Sequence, residues 1–411
     1  METLTQIQIN ADRLMQDLDR LATIGQLDNG GIGRLAFSSE DIAARQWVAQ
    51  QLQAAGMTVQ IDAAGNLIGR YAGTSDLPVL ATGSHIDTVP IGGKFDGCLG
   101  VLAGIEVVRT LRENQIQLRH PIEVIIFSDE ERSMIGSKAM AGQLESSPDH
   151  YARLDGTPIQ QSLAAVGGNW ATIATAQRDQ AIAAFIELHV EQGGVLEKAG
   201  AAIGVVTGVV GQRRFAVQIQ GQPNHAGTTP MTDRQDALVA AAQLVLAVNQ
   251  LALQTPGEQV ATVGHLTVSP NATNTIPGHV ELHIDLRDLS GEHLQRLIQQ
   301  IEIHINHIAV LTNTTITWRS LLDIEPTRAD PRIIHTLTQL CVTQDLAYLE
   351  LPSRAGHDAQ AMGRVVPMGM IFVPSRSGIS HSEQEFTSAE ECAQGTSLLL
   401  QSLIKLDALL D

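Results

Sequence analysis

Three apolar runs, each ending beside a histidine or paired carboxylates, restrict this chain more than any other feature. Leu77-Pro-Val-Leu-Ala81 leads into Gly83-Ser-His85, Pro121–Phe127 carries IEVIIF into Ser128-Asp-Glu-Glu131, and Ile182–Val190 contains His189 at its far end. Near-continuous apolar runs rich in β-branched residues read as strands buried on both faces, which requires helices on either side of a sheet. Helical spacing appears at 10–24, at 40–55 (opened by Ser38 and Ser39, closed by Gly56) and from about Leu99 to Arg112. Met57–Asp62 and Asn66–Tyr71 alternate across an Ala-Ala-Gly turn, a hairpin pattern. Near the end, Pro367–Val373 reads as a strand, and a helix follows from Ser388, with Glu391 completing a capping box. Strands alternating with helices indicate an α/β fold.

From Arg213 the rhythm changes. FAVQIQG is a strand, and Thr232-Asp-Arg-Gln235 reads as a capping box opening a helix to about Leu253. Val260–Ser269 and Val280–Leu286 read as strands, Glu292–Ile308 as a helix and Thr315–Leu321 as a last strand. The order βαββαβ is the ferredoxin-like two-layer unit. The expected organisation is a first domain of residues 1–212 and 327–411, interrupted by a second at 213–326. Residues 140–180 are weakly patterned.

With 411 residues, 44% hydrophobic and 17% charged, the chain is globular and long enough for two domains. A net charge of −18 opposes non-specific binding to nucleic acid or anionic membranes, because a basic footprint is absent. The longest apolar runs, such as Ala237–Ala242, read as far short of a membrane span. The opening METLTQIQINADRL lacks the charged head and apolar core of a signal peptide. Three scattered cysteines, Cys98, Cys341 and Cys392, argue against a disulfide framework and for a reducing cytoplasm. Cys98 reads as small packing.

The polar residues at the strand ends carry the chemistry. His85 and Asp87 are two apart, so both side chains leave one face of an extended segment, and Asp96 follows a glycine-rich turn. An imidazole and a carboxylate brought together there suit zinc or manganese, with Asp87 holding the other ring nitrogen of His85. Asp87 and Asp96 as turn or N-cap residues are the alternative. Glu130 and Glu131 repel each other, so keeping both near one site is easier with a cation present, although an acidic pair also serves as a solvated helix-dipole partner. His189, His357 and His381 each sit where a strand gives way to a turn, and loops at strand carboxyl ends converge on one crevice. No G-x-S-x-G elbow and no phosphate-binding loop occurs.

In order, GSHIDTVPIGGKFDG, SDEE, ELHVEQGGVLE, GQPNHAGTTPM, NTIPG, DLRD, AGHDAQ and SHSEQE make the chain resemble the hydantoinase/carbamoylase-type dinuclear-metal amidohydrolases. These include N-carbamoyl-L-amino-acid hydrolases, β-ureidopropionases and allantoate amidohydrolases, within the carboxypeptidase- and aminoacylase-like metallopeptidases. The resemblance implies a mixed, zinc-peptidase-like sheet flanked by helices, with the insert as a ferredoxin-like dimerisation domain. It implies two divalent ions per subunit, zinc or manganese, with cobalt or nickel as alternatives. His85, Asp96 and His189 match ligands of one ion; Asp96, Glu131 and His381 match ligands of the other. Glu130 matches the general base, Asp87 the group orienting His85, and His225 a stabiliser of the developing oxyanion. Gln192, His225, Asn274, Arg287 and His357 match substrate-binding positions. A homodimer is implied, with His225, Asn274 and Arg287 reaching the neighbour's site and a small ureido acid as substrate. Arg287 as a rim salt bridge with Asp285 or Asp288 is the alternative role. Arg132 departs from the family, which often has glycine there. A dipeptidase or aminoacylase-like hydrolase, or a non-catalytic binding protein on the same fold, are the rival readings.

Overall fold

Asn10 and Ser38 start the first two helices by accepting hydrogen bonds from Arg13 N and Asp41 N, leading α1 (Ala11–Ala22) and α2 (Ser39–Ala54). The computed structural model describes residues 7–153, 155–178 and 181–410. The first six residues of the opening segment, and Leu154, Asp179 and Gln180 of the weakly patterned stretch, lie outside the described residues. After α2 come β1 (Thr58–Ile61), β2 (Leu67–Tyr71), β3 (Val79–His85), α3 (Cys98–Glu113), β4 (Ile122–Phe127), α4 (Ile135–Met140), α5 (Ile159–Ala165), β5 (Ile182–Val190), α6 (Val195–Ala199) and β6 (Ile203–Val209). Then follow β7 (Gly211–Gln220), α7 (Ala237–Gln254), β8 (Val260–Ser269), β9 (His279–Asp288), α8 (Gly291–Thr312) and β10 (Thr315–Ile324). The chain closes with β11 (Thr327–Arg328), α9 (Pro331–Thr343), β12 (Tyr348–Ser353), α10 (Asp358–Met362), β13 (Met368–Val373) and α11 (Ala389–Leu409). Two units result, one running to Val209 and resuming at Arg328, the other spanning Val210–Thr327.

In the first unit the strand order is β1-β2-β4-β3-β5-β13-β6-β11, with β12 on β6. β4, β3, β5 and β13 run parallel to their neighbours in that series, whereas β1–β2, β2–β4 and β13–β6 are antiparallel. The sheet is mixed, and the two-residue side-chain period explains why both faces are apolar. Leu80, Val124, Ile126, Ile186 and Leu188 pack with α1, α3 and α11 residues such as Leu18, Ile105 and Leu399. Val79, Ala81, Ile125, Phe127 and Phe185 face the other way, toward Met140, Ala359 and Met362. Each buried Leu, Ile or Phe contributes about 1.5–3 kcal/mol of transfer free energy. Gly83 is required inside β3. Its φ is 147°, and a Cβ there would stand 1.9 Å from the Ile125 carbonyl oxygen of β4.

The second unit is a four-stranded antiparallel sheet of order β10-β7-β9-β8, first and third strands central, as the βαββαβ order implies. Val280, Leu282, Ile284 and Leu286 of β9 meet Leu244 and Val248 of α7 and Leu297, Ile301 and Ile305 of α8. The alternate residues of β9 therefore line the opposite, open face. Two expectations change here. The α7 N-cap is Asp236, accepting from Leu238 N and Val239 N, while the Thr232 hydroxyl turns to Asp233. Asp236 stands directly before the first helical residue, so its short side chain reaches the orphan amides that Thr232 cannot. Moreover, α7 is 18 residues with a mean hydropathy of 1.6, long and apolar enough by composition alone to cross a membrane. Gln243, Asn249 and Gln250 interrupt its apolar runs and concealed that average. In this fold its Ala237, Ala240, Ala241, Leu244 and Val248 stripe covers the sheet.

Several elements had no clear mark in the sequence. β6 contains two glycines, and β12 is short and half-buried, so neither shows a strand period. The start of α9 was signalled, by Asp330 as N-cap and Pro331 at the first helical position.

Candidate metal centre

Because β3, β4, β5 and β13 are parallel neighbours, their carboxyl ends share one edge of the sheet. His85 ends β3 in register with Phe127, which ends β4 just before Ser128–Glu131. His189 lies one residue from the end of β5, opposite Phe372 of β13. The loop after β13 returns His381. These segments meet on Asp96. Its Oδ1 is 3.2 Å from His189 Nε2 and 3.5 Å from His85 Nε2, while its Oδ2 is 3.5 Å from His381 Nε2. Glu131 Oε2 stands 3.4 Å from His381 Nε2, and Glu130 Oε2 stands 3.6 Å from His85 Nε2. Two candidate ligand sets thus share one carboxylate: His85, Asp96 and His189, and Asp96, Glu131 and His381.

The surrounding chain fixes these atoms. Asp87 does so differently from the sequence expectation. Its main-chain carbonyl, 3.0 Å away, takes the His85 Nδ1 position, and its carboxylate is 3.7 Å off. That carboxylate instead accepts from the amides of Glu130 (3.4 Å) and Glu131 (3.2 Å). The physical reason is local: the turn after β4 presents two amides with no strand partner, and a charged acceptor satisfies both. Glu385 accepts from the amides of Phe95 and Asp96, at 2.8 and 3.1 Å, and fixes the Asp96 backbone. Gln192 Nε2 and Ser380 Oγ donate to Asp96 Oδ2 at 2.8 and 2.9 Å. Three non-glycine residues here, Asp129, Gln192 and His381, have φ between 53° and 58°. Such left-handed backbone is costly for side-chain-bearing residues and clusters where geometry is imposed. Gly97 (φ 65°) has no alternative, since a Cβ would lie 2.5 Å from the His85 ring.

A profile of Peptidase family M20/M25/M40 matches residues 81–405. The chain belongs to this family. An N-carbamoyl-L-amino acid amidohydrolase of Geobacillus stearothermophilus is 39% identical, over 97% of this chain and 99% of that one. An allantoate amidohydrolase of Bacillus subtilis is 35% identical, over 95% and 96%. A crystal structure of a hydantoinase/carbamoylase-family amidase from Burkholderia multivorans matches at TM-score 0.91 and 34% identity, over 97% and 98%. Family M20 is metal-dependent, and the donor set of this M20 chain fits a cation. Imidazoles and carboxylates are the ligands borderline divalent ions take. Four carboxylates, Asp87, Asp96, Glu130 and Glu131, are gathered in a largely buried site where mutual repulsion calls for positive charge.

The other expected site residues of the M20 chain fall into two groups. Gln192 lies at the centre, and His357 is buried behind it, its ring centroid 4.6 Å from that of His189 and its Nε2 2.8 Å from Ser353 Oγ. Burial holds His357 well below the ordinary imidazole value, so it is neutral. His225, Asn274 and Arg287 belong to the second unit. There the His225 and Asn274 loops are bridged, with Ala226 N donating to the Asn274 carbonyl at 2.9 Å. Arg287 Nε is bonded to Asp285 at 2.9 Å, so the ion pair weighed in the sequence does form. Arg132 donates to the Ala152 carbonyl, tying down the loop after the acidic pair. Sequence reasoning missed Glu385, four residues beyond His381, and Glu187, which accepts from Ser84 Oγ and Ala359 N. Glu187 alternates with His189 on β5, and a carboxylate in an apolar strand is the signal that could have found it.

Electrostatics give a sign to the effect of pH. Burial, then the charges of Asp96 and Asp87, pushes Glu131 up to about 8. Burial likewise raises Asp129 and Glu385 to about 7 and Asp41 to about 6. Burial would lower His85, but the charge of Glu130 and the hydrogen bond to Asp96 outweigh it and hold it well above the usual value. Without metal, the native state therefore keeps protons that the unfolded chain releases, and stability falls as pH rises. His357 acts in the opposite sense only at more acid pH, once unfolded imidazoles protonate. The metal-stripped protein is expected to melt higher at about pH 6.5 than at about pH 8.5, with zinc or manganese narrowing the gap. Thermal melts that show no pH difference after stripping would contradict this account.

Proposed function

We propose that the protein is a metal-dependent amidohydrolase that cleaves the C–N bond of a ureido (N-carbamoyl) group on a small carboxylic acid. The observation that carries it is the pair of ligand sets joined through Asp96 with Glu130 at its margin. The relatives named as N-carbamoyl-L-amino acid and allantoate amidohydrolases, matched end to end, support the substrate class. His85 and His189 with Asp96 would hold one divalent ion, and Glu131 and His381 with Asp96 a second. Two ions so held supply Lewis acidity to the ureido carbonyl and make the attacking water more acidic. Glu130 Oε2 takes the proton of that water and delivers it to the departing nitrogen. Asp87 positions that carboxylate through the Glu130 amide. Gln192 faces the ureido group, and His225, contributed by a second copy of the chain, donates to the developing oxyanion. The products from a carbamoyl substrate are the amino acid and carbamate, which breaks down to ammonia and carbon dioxide.

Arg287, its Nε oriented by Asp285, offers its guanidinium to the substrate carboxylate of a partner subunit, with Asn274 beside it. Pairing of two copies through the second unit is supported by β8. It is an edge strand ten residues long with Val260 and Leu266 exposed, beside exposed Leu246 and Leu253 of α7. Free, buried Cys98, Cys341 and Cys392 suit a reducing, cytoplasmic setting.

The direct test is ammonia release from a panel of ureido acids: N-carbamoyl-α-amino acids, N-carbamoyl-β-amino acids and allantoate. One member should turn over, lose turnover on chelation, and regain it with manganese, zinc, cobalt or nickel. Dipeptide or N-acetyl amino acid hydrolysis exceeding every ureido acid would displace this reading in favour of a peptidase or aminoacylase.

A further inference from the structure

On the open face of the second unit's sheet, a bulge brings two imidazoles and a carboxylate together. β8 and β9 pair with Val263 opposite Ile284 and His265 opposite His283, so one residue is inserted in β8 between them. Gly264 occupies the insertion, with nothing within 4 Å of where a Cβ would be. In uninterrupted register His265 would face Leu282, which points into the helical layer. The extra residue turns His265 outward instead, beside His283. Their ring centroids are 4.4 Å apart at 31°. Glu281, two residues from His283 on the same face of β9, places Oε1 3.1 Å from His283 Nε2. Its other oxygen accepts from Gln218 Nε2 of β7 at 3.5 Å. Ligand atoms of all three residues lie within 4.8 Å of one another.

We propose that His265, Glu281 and His283 form a separate divalent-metal site for a borderline transition-metal ion such as zinc, nickel or copper. Two imidazoles and one carboxylate are the donor set such ions favour, and solvent supplies the remaining positions on this open face. Binding through Nε2 of His283 moves that ring's hydrogen to Nδ1 and replaces its bond to Glu281 by a shared ion. Gln218 orients the carboxylate from outside the ligand set. The ion would tie the edge strand β8 to the central strand β9 at the bulge, where the backbone ladder is interrupted. This site is independent of the hydrolytic reading above, and its failure would leave that reading intact.

The test uses the full-length, zinc-loaded protein dialysed against micromolar free zinc, with zinc per subunit measured by mass spectrometry. Wild type should hold one zinc per subunit more than His265→Ala and one more than His283→Ala. Glu281→Gln should bind that zinc more weakly, by at least the about tenfold that losing an outer partner costs. Both histidine variants should melt within a few degrees of wild type in zinc-free buffer, which shows that they fold. Equal zinc in wild type and both histidine variants would overturn the proposal. So would copper(II) that gives wild type and His265→Ala the same nitrogen-coupled paramagnetic resonance signal.

Discussion

Replacing Glu130 with glutamine should lower turnover by about 10²- to 10⁴-fold, the usual contribution of a positioned proton carrier, while metal content stays at the wild-type level. The side chain is buried, and in the absence of metal burial with the charges of Asp358 and Glu131 holds its carboxyl well above the ordinary glutamate value. A neutral isostere relieves that repulsion, so the fold should be retained or strengthened. The expected signature is a fall in kcat with KM and thermal melting little changed. Turnover within a few-fold of wild type, with metals present, would remove Glu130 from the proton path. A loss of metal together with activity would instead show that the glutamate is a ligand.

A second large effect is expected from mixing two inactive proteins. If Arg287 serves the neighbouring subunit, Arg287→Ala and Glu130→Gln are each inactive as pure dimers, for different reasons. A mixed dimer has one site with both residues intact and one with neither. Random exchange of equal amounts makes half the dimers mixed, so activity should return to roughly a quarter of wild type. Exchange can be followed separately with subunits of different mass. Proven exchange without recovery would confine each site to a single chain. A protein that sediments as a monomer would reject both the pairing and the shared site.

Much of the fold can be read from the chain because its core strands are apolar at nearly every position. The runs around Ala81, Ile125 and Ile186 have few alternatives to a sheet covered on both faces, and the Burkholderia multivorans amidase shares that fold at TM-score 0.91. The ferredoxin-like order of the second unit was legible for a related reason: β9 alternates strictly, one face buried and one not. β6 and β12 were not, since glycines and half-burial erase the period that marks a strand. At the metal centre, residue types at strand ends were visible, whereas their supports were not. The contact of His85 Nδ1 is a main-chain carbonyl, which has no sequence identity to read. Glu385 acts through backbone amides of residues nearly three hundred positions earlier, a separation no local pattern spans. The bulge at Gly264 is equally silent, because a glycine in a strand does not declare which way its neighbours will turn.

Asp87 has a wider consequence. One residue supplies the carbonyl that sets the tilt of an imidazole from β3 and the carboxylate that clamps the turn carrying two glutamates from β4. Drift in the first loop is therefore transmitted to the second, and the spacing between His85 and Glu130 is held while the pair shifts as a body. Asparagine at this position would keep the carbonyl and weaken the clamp, uncoupling the two loops without vacating either.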